Sequence, residues 1–545
     1  MRLVLFVNRF TNFKTGTPVT QRTSMSFDRT RRQVLRIGAA GLAGWSLPLA
    51  FGERALAAQG GVLTVAIPSN PQTLDPINQP NHDVMAINQL IFENLVGIDA
   101  HGQRVPQLAR AWTVTPDRLT YRFDLARNVM FQNGQPFSSA DVKYSFDYVL
   151  DPAHKAFRRP FWTVIDSVSA PDANTVVIRL KRPYRPLLDY MSKYMGIFPA
   201  GSREQHPGDF FRHAPVGVGT GPGIFVQSRA NDFVELRRNP NYWRRGEPQW
   251  ERVMFRIIPE ESSRLASLMS MQTQVISAPP AQLFGQISRS PGIVGESRPS
   301  PTSPLMLCLN TRRAPFDDPA FRRAVSLVLD RVKICRDLCY GAVKASSMPF
   351  APDSPWYDAA SAASVDFDLA KARAALARSK YATGASFDLL YVQPAYLIDT
   401  STTALFMQSQ LASIGVRVNL RPLDFGQMIS QAMVGNHQAV LTGFIAPPEA
   451  TYLLNALFRP TESLWKATAY DNPAFVDLID QSYGADEPAE LKALLAKMQQ
   501  TIARDAPAIW IGALEVQNLW RSEVKGFEVN TGFSLALGGV SVGRA

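Results

Sequence analysis

With 545 residues, 46% of them apolar and 19% charged, the composition excludes a disordered or fibrous chain and allows a large buried core. At roughly 100–200 residues per domain the length predicts about three domains, with room for a lobe built from separate stretches of chain. The formal charge of +11 is unevenly placed: residues 1–57 carry eight Arg and one Lys against Asp28 and Glu53, which accounts for +7 and leaves +4 for the remainder. No Lys/Arg run interleaved with aromatics follows, so nucleic acid is excluded as a partner.

The segment Thr30-Arg31-Arg32-Gln33-Val34-Leu35-Arg36 leads into an apolar run, Ile37 to Phe51, and then Ala55-Leu56-Ala57. Basic region, short apolar region and small-x-small site stand in the order of a signal peptide, which predicts a leader over 1–57 cleaved near Ala57. The Arg31-Arg32 pair resembles the twin-arginine export signal, which implies the twin-arginine export machinery as a partner and the periplasm as the destination. Gly41, Gly44, Ser46 and Pro48 interrupt the run, and it falls short of the ~20 apolar residues a membrane span needs. Met25 is a second candidate start. No Cys follows the run, so a lipid anchor is not expected. The three cysteines, Cys308, Cys335 and Cys339, are too few and irregular for a disulfide framework or paired zinc motif and read as buried thiols.

Beyond the leader, Val62–Ile67 reads as a mostly buried strand ending at Pro68-Ser69-Asn70-Pro71. Asp83 is placed to cap a helix whose apolar positions Val84, Ile87, Ile91 and Leu95 recur at helical spacing. From Trp112 to Leu125 the chain alternates about Thr115-Pro116-Asp117-Arg118, Asn133-Gly134 marks another turn, and Val164 to Arg179 alternates about Pro171-Asp172. These hairpin signals predict a β-rich subdomain near 98–205. Further on, Asp368 is placed to cap a helix with Leu369, Ala372 and Leu376 facing inward, Phe387–Val392 reads as a strand and Thr403–Ile414 as a helix. Gly415 supplies a stop, and Val416, Val418 and Leu420 alternate in the next strand. Strand, helix and strand with a short return predict a parallel pair, whose loop Gln393–Thr400 lies at a strand's carboxyl end, where open α/β sheets bind ligands.

Catalytic motifs are not found. Six histidines are scattered without i, i+4 pairing, and neither a G-x-S-x-G elbow nor a phosphate-loop lysine occurs. In Gly217-Val218-Gly219-Thr220-Gly221-Pro222-Gly223 the third glycine of a dinucleotide loop is Pro222, so a tight turn feeding Ile224-Phe225-Val226 is expected. On these patterns alone a binding protein and a periplasmic hydrolase of peptides or amides both remain open.

An ordered series of short motifs separates them: Leu74-Asp75-Pro76, Phe92-Glu93-Asn94-Leu95-Val96, Pro106-Gln107-Leu108-Ala109 before Trp112, Thr120-Tyr121-Arg122-Phe123, and Val129-Met130-Phe131-Gln132-Asn133-Gly134-Gln135-Pro136-Phe137 leading into Ala140-Asp141-Val142. Gly219-Thr220-Gly221-Pro222, Arg238-Asn239-Pro240-Asn241-Tyr242-Trp243 and Ala314-Pro315-Phe316-Asp317-Asp318 continue it. From Leu63 to about Asn530 the chain thereby resembles the extracellular solute-binding proteins of family 5, the periplasmic oligopeptide-, dipeptide- and nickel-binding group of ABC transporters. The resemblance implies an α/β, two-lobe periplasmic-binding-protein fold with a hinge and an additional β-rich subdomain, closing over a small-molecule or peptide ligand and serving an inner-membrane permease. It implies a monomer with no cofactor and no catalysis. Lobe I is expected over 58–97, 206–303 and 516–545, its β-rich subdomain over 98–205, and lobe II over 304–515, with hinge strands near 303 and 516.

Peptide-binding members resemble one another at a Gly-Trp segment followed by an Asp that receives the peptide ammonium group. Here Gly443-Phe444 is followed by Pro447, and Glu449 stands two residues beyond, so a free α-ammonium ligand is not assured. The ligand-binding candidates are Asn81 and His82 after the first strand, Gly219 and Thr220 in the glycine turn, Tyr396 at a strand end, and Phe444, Glu449 and Tyr452.

Overall fold

The computed structural model describes residues 61–79, 84–100, 102–393, 398–447, 449–462, 464–485 and 487–543. The twin-arginine leader, the Asp83 cap and the candidates Asn81, His82 and Tyr396 lie outside the described residues.

Two long antiparallel strands, Ile293–Leu309 and Ala508–Arg521, run side by side through the middle of a single extended sheet. On one side the sheet continues through Ala439–Gly443, Ala385–Val392 and Val416–Leu423; on the other through Val275–Ser277, Val62–Ile67, Arg252–Ile257, Phe233–Arg238 and Gly223–Arg229. Each half carries its own core. This is the expected two-lobe α/β architecture, with the long pair common to both lobes.

The second lobe illustrates how the pattern of side chains dictates the layers. Along Leu305–Leu309, residues 305, 307 and 309 face one way and Met306 and Cys308 the other, the period-2 alternation of a strand. The first set packs with Phe316, Phe387 and the helices Pro319–Val328, Leu369–Ala377 and Ser401–Ala412. The second packs with Val440, Trp510 and the helices Tyr452–Phe458, Pro473–Gly484 and Pro488–Asp505. A sheet covered on both faces must be apolar on both faces, which is why these strands read as unbroken hydrophobic runs. The expected parallel unit forms as Ala385–Val392 paired with Val416–Leu423 across the helix Ser401–Ala412, and Asp368 accepts from the Lys371 N–H at 2.9 Å to cap its helix.

The first lobe buries Leu63, Val65 and Ile67 with Phe255, Trp250 and Val275. The predicted hairpins appear as a separate four-stranded antiparallel sheet in the order Ala109–Val114, Thr120–Leu125, Thr175–Leu180, Ile165–Asp172. It packs on the helix Ser139–Leu150, which Ser138 and Asp141 cap reciprocally. One expectation is corrected. The helix containing Ile87 spans Met85–Ile91 and stops before Leu95, because Phe92 turns extended and Glu93 and Asn94 are drawn away, Glu93 to Tyr242 and Trp243 and Asn94 to the Ser192 carbonyl and Met195 N–H. All three cysteines are free and buried, and burial raises each thiol pKa.

Phe316 is fully buried and meets Phe321 and Phe387 edge-on at 5.6 and 4.8 Å. Replacing it with Ala leaves a cavity among aromatic rings, and urea unfolding is expected to show a loss of about 3–5 kcal/mol.

Candidate functional site

The lobes meet through a wall of aromatic and charged side chains contributed by residues 158–194 of the first lobe and 449–485 of the second. Tyr452, the first residue of the helix Tyr452–Phe458, contacts Phe161 and Tyr190 with ring centroids 5.9 and 6.1 Å apart. Phe161 in turn stacks on Tyr190 at 4.6 Å and leans on Tyr194 at 5.2 Å. Beside this lattice Tyr184 meets Tyr483 at 5.0 Å, and a cavity of about 190 Å³ lies between Phe161, Lys181 and Tyr184 on one side and Asn455, Glu462 and Tyr483 on the other. A mostly apolar cleft with a few placed polar groups is the usual form of a small-molecule site.

Among the described residues several polar links cross the same boundary, an Arg182–Asp480 ion pair at 3.6 Å among them. The Arg185 guanidinium pairs with the Glu449 carboxylate. Arg118 Nη1 donates to the Ala485 carbonyl at 3.1 Å, and the Arg185 backbone N–H donates to the Tyr483 carbonyl at 3.2 Å. Glu449 is fully enclosed, and its oxygens also accept from the Thr451 N–H at 3.0 Å and the Thr451 hydroxyl at 2.8 Å. Removal from water pushes this carboxyl above its ordinary range, and Arg185 pulls in the other direction. Behind the wall, Arg104 grips Asp189 through two hydrogen bonds of 2.7 and 2.8 Å.

The sequence-derived candidates divide accordingly. Glu449 and Tyr452 lie on the lobe boundary. Phe444 is half-buried, ties its N–H to the Pro304 carbonyl at 2.9 Å where the chain crosses between lobes, and packs on the second-lobe core. Gly219 and Thr220 are buried inside the first lobe: a Cβ on Gly219 would fall 1.9 Å from the Ile91 carbonyl oxygen, so this glycine lets the turn pack on the end of the helix Met85–Ile91. Sequence reading missed Arg158, Arg185, Tyr190, Lys193 and Tyr194. A signal for them exists in Leu187–Tyr194, a helix whose eight residues are all buried although it carries Asp189 and Lys193. Charges on a helix with no polar face require partners or a function.

Two outcomes follow from this geometry. Arg185→Met leaves Glu449 enclosed without its cation, a change of about 3–5 kcal/mol at such sites. With burial acting alone the carboxyl pKa lies higher in the folded than in the unfolded chain, so the variant's melting temperature should fall as pH rises from 5 to 8. Adding Glu449→Gln should remove that extra slope. Gly219→Ala should lower stability by on the order of 3 kcal/mol in urea unfolding, since its new methyl meets backbone that cannot yield.

The bacterial extracellular solute-binding protein family 5 model matches residues 103–465. The glutathione-binding protein GsiB of Escherichia coli K12 is 26% identical over 485 residues, covering 87% of this chain and 93% of that protein. Among solved structures, the binding protein AgaA of A. tumefaciens R10, in complex with agropinic acid, superposes with a TM-score of 0.75 at 25% identity over 89% of this chain and 99% of that one. DppA of Helicobacter pylori, in complex with the peptide STSA, shares the fold with a TM-score of 0.77 at 23% identity over 89% of this chain and 98% of that one. The family model spans more than half of the chain, and the chain belongs to the bacterial extracellular solute-binding proteins of family 5.

Proposed function

We propose that this chain is the exported receptor of an ABC importer, which closes its lobes over a small, peptide-like solute and presents the closed form to an inner-membrane permease. The observation that carries this reading is the boundary between the lobes, where Tyr452 seats against Phe161 and Tyr190, and Glu449 against Arg185. Contacts of this kind form when the lobes approach and break when they part, so a solute enclosed beside them shifts the balance toward closure.

The lobes pivot where the long strands cross. Between Pro299 and Pro304 the ladder to Ala508–Arg521 is interrupted, which leaves Ser300–Ser303 as the first connection and the segment near Glu515 as the second. The solute-facing surface includes Phe444, Tyr452, Phe161, Tyr190 and Tyr194. Glu449 serves as a latch between lobes rather than as a receiver of a ligand ammonium group, because its oxygens already hold Arg185 and Thr451. The twin-arginine leader delivers the folded chain to the periplasm, where it acts as a monomer without cofactor or covalent chemistry.

Glutathione, agropinic acid and short peptides, named for the similar proteins, are the first compounds to test. The full-length chain, expressed so that it is exported and purified without dialysis, should show a co-purified small molecule by native mass spectrometry, released on mild unfolding. Adding that molecule back should shrink the radius of gyration in solution scattering. An unchanged radius with the compound bound, or turnover of it at enzymatic rates, would overturn the proposal.

A further inference from the structure

The second lobe seals three thiols into its core in positions where none is bonded to another. Cys308, Cys335 and Cys339 are 4%, 3% and 2% exposed, and all are free. Cys308 sits mid-sheet, opposite Val440 on one neighbouring strand and Ala508 on the other, and packs with Met306 and Trp510 on one face. Cys335 and Cys339 belong to the core on the opposite face, with Leu305, Leu307 and Ile511. The sheet itself therefore separates Cys308 from the other two. Cys335 and Cys339 look to different elements: the first donates to the Ile511 carbonyl at 3.5 Å, and the second lies 4.0 Å from the Thr403 hydroxyl. A disulfide holds its sulfurs about 2.05 Å apart, so bridging this pair withdraws one thiol from the strand Ala508–Arg521 and the other from the helix Ser401–Ala412.

Folded and unfolded chains meet a thiol oxidant differently. In the folded chain burial raises all three thiols, Cys308 to about 12 and Cys339 to about 11, so little attacking thiolate is present and no path admits a disulfide. In the unfolded chain the same groups are wet and ordinarily acidic. A protein thiolate attacks one sulfur of a small disulfide, forms a mixed disulfide and expels the other sulfur as a thiolate; a second protein thiolate displaces the remaining small thiolate and closes a protein disulfide. Two protein thiols are oxidised, one small disulfide is reduced to two thiols, and the two protons pass from the former to the latter. Cys335 and Cys339, four positions apart, close the shortest loop. Each product conflicts with the core: a Cys308 bridge must cross the sheet, the Cys335–Cys339 bridge abandons both native contacts, and a mixed disulfide overfills an enclosed site.

Cytosolic thiols are kept reduced, whereas the periplasm is oxidising. Resting on the export reading above, we infer that the second lobe is a redox-conditional fold: its three cysteines must be buried before the chain meets a disulfide oxidant, and folding in the cytosol followed by export in the folded state satisfies that condition. The Arg31-Arg32 leader thereby acquires a chemical reason. It carries thiols that are already sealed.

Refolding tests this without any solute. The full chain, unfolded in urea with dithiothreitol, is desalted into cysteamine or into its disulfide, cystamine, and the folded fraction is read by tryptophan fluorescence and size-exclusion chromatography. Cystamine should lower that fraction several-fold, mass spectrometry should find disulfides in the trapped chains, and added dithiothreitol should return them to the folded pool. The combined variant Cys308→Ala, Cys335→Ala, Cys339→Ala should refold equally in both buffers; rescue by dithiothreitol carries the test if that variant does not fold. In the native chain a chromogenic aryl disulfide should titrate no thiol until urea is added. Equal folded fractions of the parent chain in the two buffers, trapped chains that dithiothreitol does not release, or native thiols that react while the chain stays folded would each overturn the inference. In cells, a leader that threads the chain across the membrane unfolded should deliver oxidised, misfolded protein, and arrival of the parent chain folded with three free thiols would overturn it as well. A chain that passes every arm yet binds no solute would count against the receptor reading alone.

Discussion

The antiparallel pairing of Ile293–Leu309 with Ala508–Arg521 is the constraint on which the rest of the molecule depends. These strands are the only part of the described sheet hydrogen-bonded into both lobes, so they set the spacing and the relative orientation of everything else. Three prolines, Pro299, Pro301 and Pro304, fall where the strand passes from one lobe to the other. Proline cannot donate to a ladder, and the register shifts across this stretch. The freed polar groups find other partners: the Thr302 hydroxyl donates to the Pro447 carbonyl at 2.8 Å, and Ser303 accepts from the Ala446 N–H at 3.1 Å. A weakened ladder inside an otherwise continuous sheet combines firm tethering with local compliance.

That crossing also ties the cleft to the hinge. Ala446 and Pro447, which satisfy the hydroxyls of the interrupted strand, stand immediately before Glu449, and Glu449 holds Arg185 of the opposite lobe. Ala446, Pro447 and Glu449 therefore touch the strand crossing and the opposite lobe within a few residues.

Legibility in the sequence followed the range of the interactions. Alternation marked Thr120–Leu125, apolar runs marked the strands at Val62–Ile67 and 387–392, and the Asp368 cap was plain from its position, because these elements are determined by residues near one another in the chain. The strand Ile293–Leu309 was not legible as one element, since its prolines argue locally against a strand and only the partner from residues 508–521 enforces it. At the glycine turn the close approach that glycine permits is made by the backbone of Ile91, a partner distant in the sequence. Arg158 and Lys193 have no motif at all. Their burial is a property of the assembled lobe that no window of sequence displays.

Closing the first lobe requires a late segment of chain. Its core includes Val516, Trp520, Phe527, Val529, Leu535, Leu537 and Val540, and Trp250 Nε1 donates to the Leu537 carbonyl at 2.8 Å. The second lobe takes its residues from the intervening stretch, from Leu305 to Leu514. During synthesis the residues of the second lobe therefore emerge before the segment that completes the first-lobe core. The last stretch of chain to emerge is thus the one that seals the lobe containing the first described strand.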